Sequence, residues 1–387
     1  MFEGLASLVL LGIFVVAAVV VWLAGVQLSN TTDVLSDRFG LGQALGGVIV
    51  LAIATNLPEI AITVSAALGG NVDVAIGNIL GGIALQTVVL VALDFAGRHR
   101  ALPLTARVGS LDGVLSGLLV IAVLTLAILG HQFPADFTFA RLTPDVVLIT
   151  VAWLAGIWVL SKGRTGLPWQ PKATAHGGRQ GQGDDGAQEG AEKKDDRGQD
   201  GKGTDTGGKD QQRRGDQDQQ GQSQQGKQQG TARVGLIFGV AALATLVAGV
   251  VLERSGGVLA DRFGLSGVLF GATILAAATA IPELATGLTA VRLGDDELAI
   301  GDIFGGNAFL PVLFLVAGLI TGQAILPHAQ KSDIYLAAVD SLLTVIYLYG
   351  LLFRPQRRVL GMGIDSLLVF LCYLLGIAGL FAVSRGG

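Results

Sequence analysis

The sequence predicts an all-α membrane protein with ten transmembrane helices arranged as two inverted five-helix repeats. Three observations support this fold class: the composition, ten long apolar runs, and a gapless internal repeat. Only 14% of the 387 residues are charged, whereas 51% are hydrophobic and the mean hydropathy is +0.60. An ordinary soluble domain is about 25% charged. The composition therefore excludes a water-soluble globule.

Net charge and cysteine content exclude several further classes. The formal net charge of −4 is too close to neutral to indicate a nucleic-acid partner. The single cysteine, Cys372, cannot form an internal disulfide or a thiolate metal cage. The apolar runs hold no His, Ser or Cys constellation typical of catalysis, so we expect neither an enzyme nor a bound cofactor.

Ten apolar runs without Lys or Arg are long enough to cross a bilayer core, which needs roughly 20 residues in helical form. The runs are approximately Leu5–Leu28, Leu41–Leu68, Val74–Phe95, Val108–Gly130, Asp145–Leu160, Val234–Leu252, Leu265–Val291, Leu298–Ile320, Ile334–Phe353 and Gly363–Val383. The first run lacks a basic flank and exceeds a signal-peptide core, so we expect it to be a retained helix.

A hydrophilic segment separates the fifth run from the sixth. It is rich in Gly, Gln, Asp, Lys and Arg and has almost nothing apolar to bury. Such a segment cannot offset its ordering entropy, which predicts a disordered linker, with a regulatory role as the alternative. The predicted organisation is residues 1–161 as the first repeat, 162–232 as the linker and 233–387 as the second repeat.

The distribution of basic residues predicts the orientation in the membrane, because cytoplasmic loops are enriched in Lys and Arg. With Met1 outside, the inner short loops carry Arg38, Arg98, Arg100, Arg107, Arg292, Arg354, Arg357 and Arg358. The outer segments carry fewer, namely Arg141, Arg254, Arg262, Lys331 and Arg385. We therefore expect both termini outside and the linker inside.

The internal repeat is the most informative feature. With a shift of 224 residues and no gap, positions 13–88 match positions 237–312 at 35 of 76 places. The recurring blocks are Val34–Leu41 with Val258–Leu265, Ala54–Glu59 with Ala278–Glu283, and Ala75–Gly82 with Ala299–Gly306. Each repeat holds five runs, and an odd number of crossings inserts the second repeat upside down. Inverted repeats are a transporter architecture with the binding site near the midplane.

Two repeated carboxylates mark the candidate site. Glu59 and Glu283 lie well inside the second and seventh runs, where a carboxylate costs roughly 2.5 to 3.5 kcal/mol. A protonated Glu, or one paired with an Arg, would be a structural explanation, but no Arg or Lys lies in any run. We therefore interpret the pair as cation ligands.

A proline precedes each glutamate and supplies the rest of the site. Pro58 and Pro282 have no N–H, which leaves the carbonyls of Ala54 and Ala278 without their helical donors and predicts a kink. Thr55 and Thr279 lie four residues before the glutamates and share their helix face. Carboxylates, hydroxyls and carbonyls form an all-oxygen cage that suits Ca²⁺.

The third and eighth runs are expected to form the neighbouring wall. Asn78 and its repeat equivalent Asp302 are candidate ligands or indirect supports, and Gln86 is a weaker candidate on the same face as Asn78. The nearby glycines allow close helix approach, which also explains them structurally.

These motifs resemble those of the sodium/calcium exchanger family, within the calcium:cation antiporters, over all ten runs. The family's two α-repeat motifs correspond here to Ala54–Glu59 with Gly77–Ile83 and to Ala278–Glu283 with Gly301–Asn307. The resemblance implies alternating-access exchange of Ca²⁺ against Na⁺ or H⁺. It also implies that Glu59 and Glu283 are central ligands, with Thr55 and Thr279 beside them.

Departures from the family motifs leave the coupling ion open. Motif serines are replaced by Asn56 and Ala280, and by Gly82 and Gly306; in addition, the polar position represented by Gln86 in the first repeat is Leu310 in the second. The alternatives are Na⁺ coupling, H⁺ coupling with Ca²⁺ or another divalent cation, and a non-transporting membrane protein on this scaffold.

The expected partners are inorganic cations and the lipid bilayer. We expect a monomer to suffice for function, with the oligomeric state left open. A linker with no folded calcium-sensing domain resembles the simpler microbial members of the family, so the expected location is the plasma membrane of a microbe.

Overall fold

The structure is a computed structural model of the chain, and it describes residues 2–38, 51–136, 139, 141–163 and 231–385. The predicted linker, residues 162–232, lies almost entirely outside the described residues, so its disorder stays a prediction. The parts of both repeats on either side of it belong to one compact unit.

The long regular elements in the described part of the first repeat are helices. Its helices are α1 (Ser7–Arg38), α2 (Leu51–Thr55), α3 (Leu57–Gly69), α4 (Val72–Ala96), α5 (Leu104–Arg107), α6 (Asp112–Gly130) and α7 (Pro144–Gly163). Residues 41–50 of the second predicted run lie outside the described residues.

The second repeat follows the same order. Its helices are α8 (Thr231–Arg262), α9 (Gly267–Phe270), α10 (Ala276–Thr279), α11 (Ile281–Leu293), α12 (Asp296–Phe309), α13 (Leu313–Thr321), α14 (Lys331–Phe353) and α15 (Ile364–Arg385). A π-helical turn, Gly271–Leu275, joins α9 to α10, and 3₁₀ turns occupy Leu310–Val312 and Leu326–His328. A two-stranded antiparallel hairpin, β1 (Arg358–Val359) and β2 (Met362–Gly363), precedes α15.

The helices confirm the all-α membrane class. Among the described residues, eight helical segments are long and apolar enough to cross a membrane: α1, α4, α6, α7, α8, α12 with α13, α14 and α15. The bent pair formed by Gly267–Thr279 and α11 is a ninth. The second predicted run, represented by α2 and α3, would be the tenth, and its count depends on residues outside the described part of the chain.

Two helices are longer than the sequence indicated. Helices α1 and α8 each have 32 residues and extend beyond the predicted run ends at Leu28 and Leu252. Arg254 and Arg262, which were counted as outer-loop residues, therefore belong to α8. The expectation was wrong because charged residues can continue a helix where their side chains reach solvent or a polar partner.

Contacts between loops divide the molecule into two ends. At one end, Arg107 makes two hydrogen bonds to Asp296, of 2.7 and 2.9 Å, and Arg354 donates to the carbonyl of Gly109. At the other end, the Gln330 amide donates to Asp73, 3.1 Å away. Loops predicted on one side of the membrane thus contact one another, as alternating crossings require.

Helices α4 and α12 run through the interior, whereas α1, α7, α8 and α15 lie at the outside. In the spans that contain α4 and α12, 72% of the residues in the most apolar stretch are buried. The corresponding fraction in α15 is 22%. Gly81 of α4 touches the backbone of Ala272 in the π-helical turn. A β-carbon built on Gly77 would lie 2.7 Å from the carbonyl oxygen of Val268. These glycines let α4 approach the second repeat at backbone distance.

Replacing Gly81 with alanine should destabilise the fold by about 1 to 3 kcal/mol, because the added methyl overlaps the Ala272 backbone. Gly239→Ala in α8 is the matched control, since a β-carbon there meets nothing within 4 Å. Thermal unfolding in detergent micelles would measure both. An equal Tm for the two variants would contradict the close packing.

Candidate cation-binding site

The two Pro-Glu helices are broken at equivalent residues. Helix α2 ends at Thr55 and α3 begins at Leu57, while α10 ends at Thr279 and α11 begins at Ile281. The residues between, Asn56 and Ala280, have ψ angles of 16° and −2°, well away from ordinary helical values. The predicted proline kink is confirmed in the second repeat, where the helix bends by 42°.

Each break is supported by the first helix of the other repeat. A β-carbon built on Gly25 of α1 would lie 2.6 Å from Cβ of Pro282. One on Gly249 of α8 would lie 2.8 Å from Cβ of Ala61 and 3.2 Å from the carbonyl oxygen of Pro58. Gly25 and Gly249 are repeat equivalents, and sequence reasoning missed their role although the 224-residue shift pairs them.

Glu59 and Glu283 are brought together from opposite repeats. Their exposed fractions are 0% and 3%, and none of the four carboxylate oxygens has a hydrogen-bond partner among the described residues. The Glu59 carboxylate lies beside the hydroxyl of Thr279, and its charge interacts with that of Glu283. Such orphaned carboxylates are costly unless a bound group compensates them.

The residues around the breaks are also buried. Ala54, Thr55, Ala278 and Thr279 are each at most 6% exposed. The Thr279 hydroxyl donates to the carbonyl of Ala276, 3.2 Å away. Because a hydroxyl oxygen keeps lone pairs when it donates, Thr279 can still accept a hydrogen bond or coordinate a cation. The coordination role predicted for these four residues stays a prediction.

Amide side chains of the first repeat converge on one glycine of the second. A β-carbon built on Gly306 would lie 3.0 Å from Nδ2 of Asn56 and 3.4 Å from Oε1 of Gln86. Both Gln86 polar atoms are buried without a hydrogen-bond partner in the described part of the chain. The structure thus joins Asn56 and Gln86, which the sequence placed on different helices.

The predicted pair Asn78 and Asp302 occupies two environments. Asn78 is fully buried, and neither of its side-chain polar atoms has a hydrogen-bond partner within the described ranges. Asp302 is half-buried, and its charge interacts with that of Glu283. The structure places Asp302 within electrostatic range of Glu283 and buries Asn78 in α4.

Two further residues lie in the wall next to the candidate site. Asn307 was not predicted to have a role, and the position of Leu310 was not predicted. Asn307 is fully buried, and its amide donates to the Thr87 hydroxyl at 3.2 Å and towards the Ile83 carbonyl at 3.5 Å. Its repeat equivalent is Ile83, so the repeat gave no signal. Leu310 fills the opposite wall, because its Cδ1 lies 3.4 Å from a β-carbon built on Gly82.

The arrangement can hold a hard cation through oxygen atoms. Across the described ranges, no three His, Cys, Asp or Glu side chains come together as a metal cluster. A cation here would therefore rely on two carboxylates completed by hydroxyl, carbonyl and amide oxygens, the ligand type that Ca²⁺ takes.

Nearly all of the helical part of the chain matches one family model. Residues 9–161 and 232–379 match the model described as sodium/calcium exchanger protein. The chain belongs to this family. It is therefore a membrane transporter of the cation exchanger type and not an enzyme, and the ions are its cargo.

Similar proteins agree in length and fold. The inner membrane protein YrbG of Escherichia coli K12 is 25% identical over 336 residues, which cover 86% of each chain. The crystal structure of the H⁺/Ca²⁺ exchanger CAX aligns with 97% of this chain and 87% of its own at a TM-score of 0.62 and 14% identity. The structure of the sodium-calcium exchanger NCX_Mj aligns with 96% of this chain and 99% of its own, at a TM-score of 0.52 and 13% identity. At these identities the two structures show a shared fold, which confirms the predicted class.

Glu59→Gln and Glu283→Gln should each leave the Tm unchanged or raise it when no divalent cation is present. The amide removes one of two like charges that are buried without hydrogen bonds. Thermal unfolding in EDTA would measure this. A decrease as large as that of a core truncation such as Leu90→Ala would show that the carboxylates stabilise the fold.

Proposed function

We propose that the protein is a secondary active antiporter that exchanges Ca²⁺ for Na⁺ or H⁺ across a membrane by alternating access. Glu59 and Glu283 would be the central cation ligands. The observation that carries the proposal is the meeting of two buried carboxylates, one from each repeat, with no hydrogen-bond partner to their oxygens among the described residues.

The neighbouring oxygen atoms favour Ca²⁺ as the cargo. Thr55 and Thr279 add hydroxyls, the helix breaks expose the carbonyls of Ala54 and Ala278, and Asn56, Asn78, Gln86 and Asp302 line the surrounding wall. Ca²⁺ takes six to eight such ligands in flexible geometry. The set lacks the thiolate or imidazole ligands that Zn²⁺ prefers.

Two carboxylates in one buried site explain why transport would be an exchange. With no cation bound, the site would carry two negative charges away from water, which is costly. The site would therefore turn from one side of the membrane to the other only when it holds one Ca²⁺ or the counter-ion. Competition of the two ions for the same oxygens would enforce their coupling.

Proton coupling is the second candidate, and the packing of Leu310 against Gly82 favours it. On this wall an apolar side chain and three motif positions without a hydroxyl, Ala280, Gly82 and Gly306, leave few oxygens for Na⁺. A carboxylate binds a proton without further ligands. The names of the aligned structures include both an H⁺/Ca²⁺ exchanger and a sodium-calcium exchanger, so the gradient experiment below decides.

The proposed functional unit is a monomer, and its proposed location is the plasma membrane of a microbe. Both halves of the site lie in one chain, so a monomer would suffice. The excess of basic residues at one end of the bundle supports an orientation with the linker inside and both termini outside.

Calcium uptake into proteoliposomes under imposed Na⁺ or H⁺ gradients tests the function. We expect uptake to follow one gradient and to fall by at least about 100-fold in Glu59→Gln and Glu283→Gln, because each removes a central charge. Unchanged uptake by both variants would refute the site assignment. Calcium binding without gradient-driven flux would instead support a non-transporting membrane protein on this scaffold.

Gly306→Ala should raise the KM for Ca²⁺ several-fold, because the new methyl displaces the Asn56 and Gln86 amides from the cation site. Gly301→Ala in the same helix is the matched control, since a β-carbon there meets nothing within 4 Å. Initial rates of uptake at varied Ca²⁺ would measure both variants. Equal KM values in the two variants would show that the Asn56 and Gln86 amides do not contribute to cation binding.

A further inference from the structure

One of the buried carboxylates outside the cation site lies on helix α8. Glu253 is 2% exposed. Its Oε2 accepts a hydrogen bond from the Ser65 hydroxyl at 2.8 Å, and its Oε1 accepts one from the Asn71 amide at 3.3 Å. Unlike Glu59 and Glu283, this carboxylate is satisfied by protein donors. It therefore has a role that needs no cation.

The hydrogen bonds of Glu253 join α8 to the helix that carries Glu59. Ser65 belongs to α3, and Asn71 caps the start of α4. Gly249, one helical turn before Glu253 on the same face of α8, packs on Pro58 and Ala61 at the beginning of α3. Helix α8 thus contacts α3 in two places: it packs on the start of α3 next to the break, and it accepts a hydrogen bond to a carboxylate near the end of α3.

The repeat-equivalent crossing of the α3–α8 pair is formed by α11 and α1. It has the steric contact without the charged hydrogen bond. There, Gly25 of α1 packs on Pro282 of α11. The position equivalent to Glu253 is Ser29, and the position equivalent to Ser65 is Thr289, whose exposed hydroxyl donates to the Ala285 carbonyl of its own helix. Both crossings have the glycine–proline contact, and within the described ranges the hydrogen bonds to a buried carboxylate occur at the α3–α8 crossing.

We propose that Glu253 is a positioning residue that fastens α3 to α8 and makes the two access states of the exchanger unequal in free energy. The inference rests on the proposed function. Inverted repeats would exchange the environments of the two crossings when the site turns from one side to the other. A bond present in only one crossing stabilises the state in which it is formed.

The consequence is a difference in apparent affinity between the two membrane faces. A ligand binding the less populated state appears weaker by the fraction of molecules in that state. Removing the Glu253 bond should raise the KM for Ca²⁺ at one face and lower it at the other. The ratio of the two KM values should change roughly tenfold, as expected for one charge-assisted hydrogen bond.

The experiment uses the full chain in proteoliposomes, with Ca²⁺ varied at each face in turn. Glu253→Gln and Ser65→Ala should shift the KM ratio in the same direction, and the double variant should be non-additive because both remove one interaction. Ser29→Ala and Thr289→Ala are the matched controls in the other crossing, and we expect neither to change the ratio. A KM ratio unchanged in Glu253→Gln and Ser65→Ala would overturn the inference, even if the maximum rate falls.

Amide hydrogen exchange separates this inference from the proposed function. Glu253→Gln should increase exchange over residues 62–71 and leave the equivalent residues 286–295 unchanged, whether or not the protein transports Ca²⁺. If the unmodified chain does not transport ions, the proposed function fails. Independently of that result, unaltered amide protection over residues 62–71 in Glu253→Gln would overturn the role of Glu253.

Discussion

A hydrocarbon interior cannot solvate a carboxylate or an unpaired carbonyl, and the core of this structure is built around two places where the chain has both. At Pro58 and Pro282 the helix lacks a donor, and one residue later it carries a glutamate. Such breaks persist in a membrane only where protein or a cation covers them. The glycines of α4 and α12, the long helices α1 and α8, and the buried amides all lie where they enclose these breaks.

The enclosure is made by exchange between the repeats. Gly25 of the first repeat packs on Pro282 of the second, and Gly249 of the second packs on Pro58 and Ala61 of the first. Gly81 of the first repeat also approaches the Ala272 backbone of the second. Because each proline break packs on a glycine of the other repeat, the geometry of each half of the site depends on residues of the other half.

Local rules made much of this predictable. The proline rule and the cost of an intramembrane charge identified Glu59 and Glu283, and the 224-residue shift showed that they belong together. The sequence could not show that Asn56 and Gln86 converge on Gly306, because that contact depends on how α4 and α12 pack. Helix ends were underestimated for a related reason: Glu253 ends an apolar run in the sequence, but its partners Ser65 and Asn71 allow it to lie in a buried helix.

The reciprocal glycine-proline contacts have a consequence for how such a chain can evolve. Each half takes the glycine that packs on its proline break from the other half, so neither can refine its ion-binding geometry independently. A substitution in α1 acts on the second glutamate, and its compensating change is expected in α11 rather than nearby in the chain. Gene duplication can create the pair, but afterwards the two halves are obliged to diverge as interlocked parts of a single molecule.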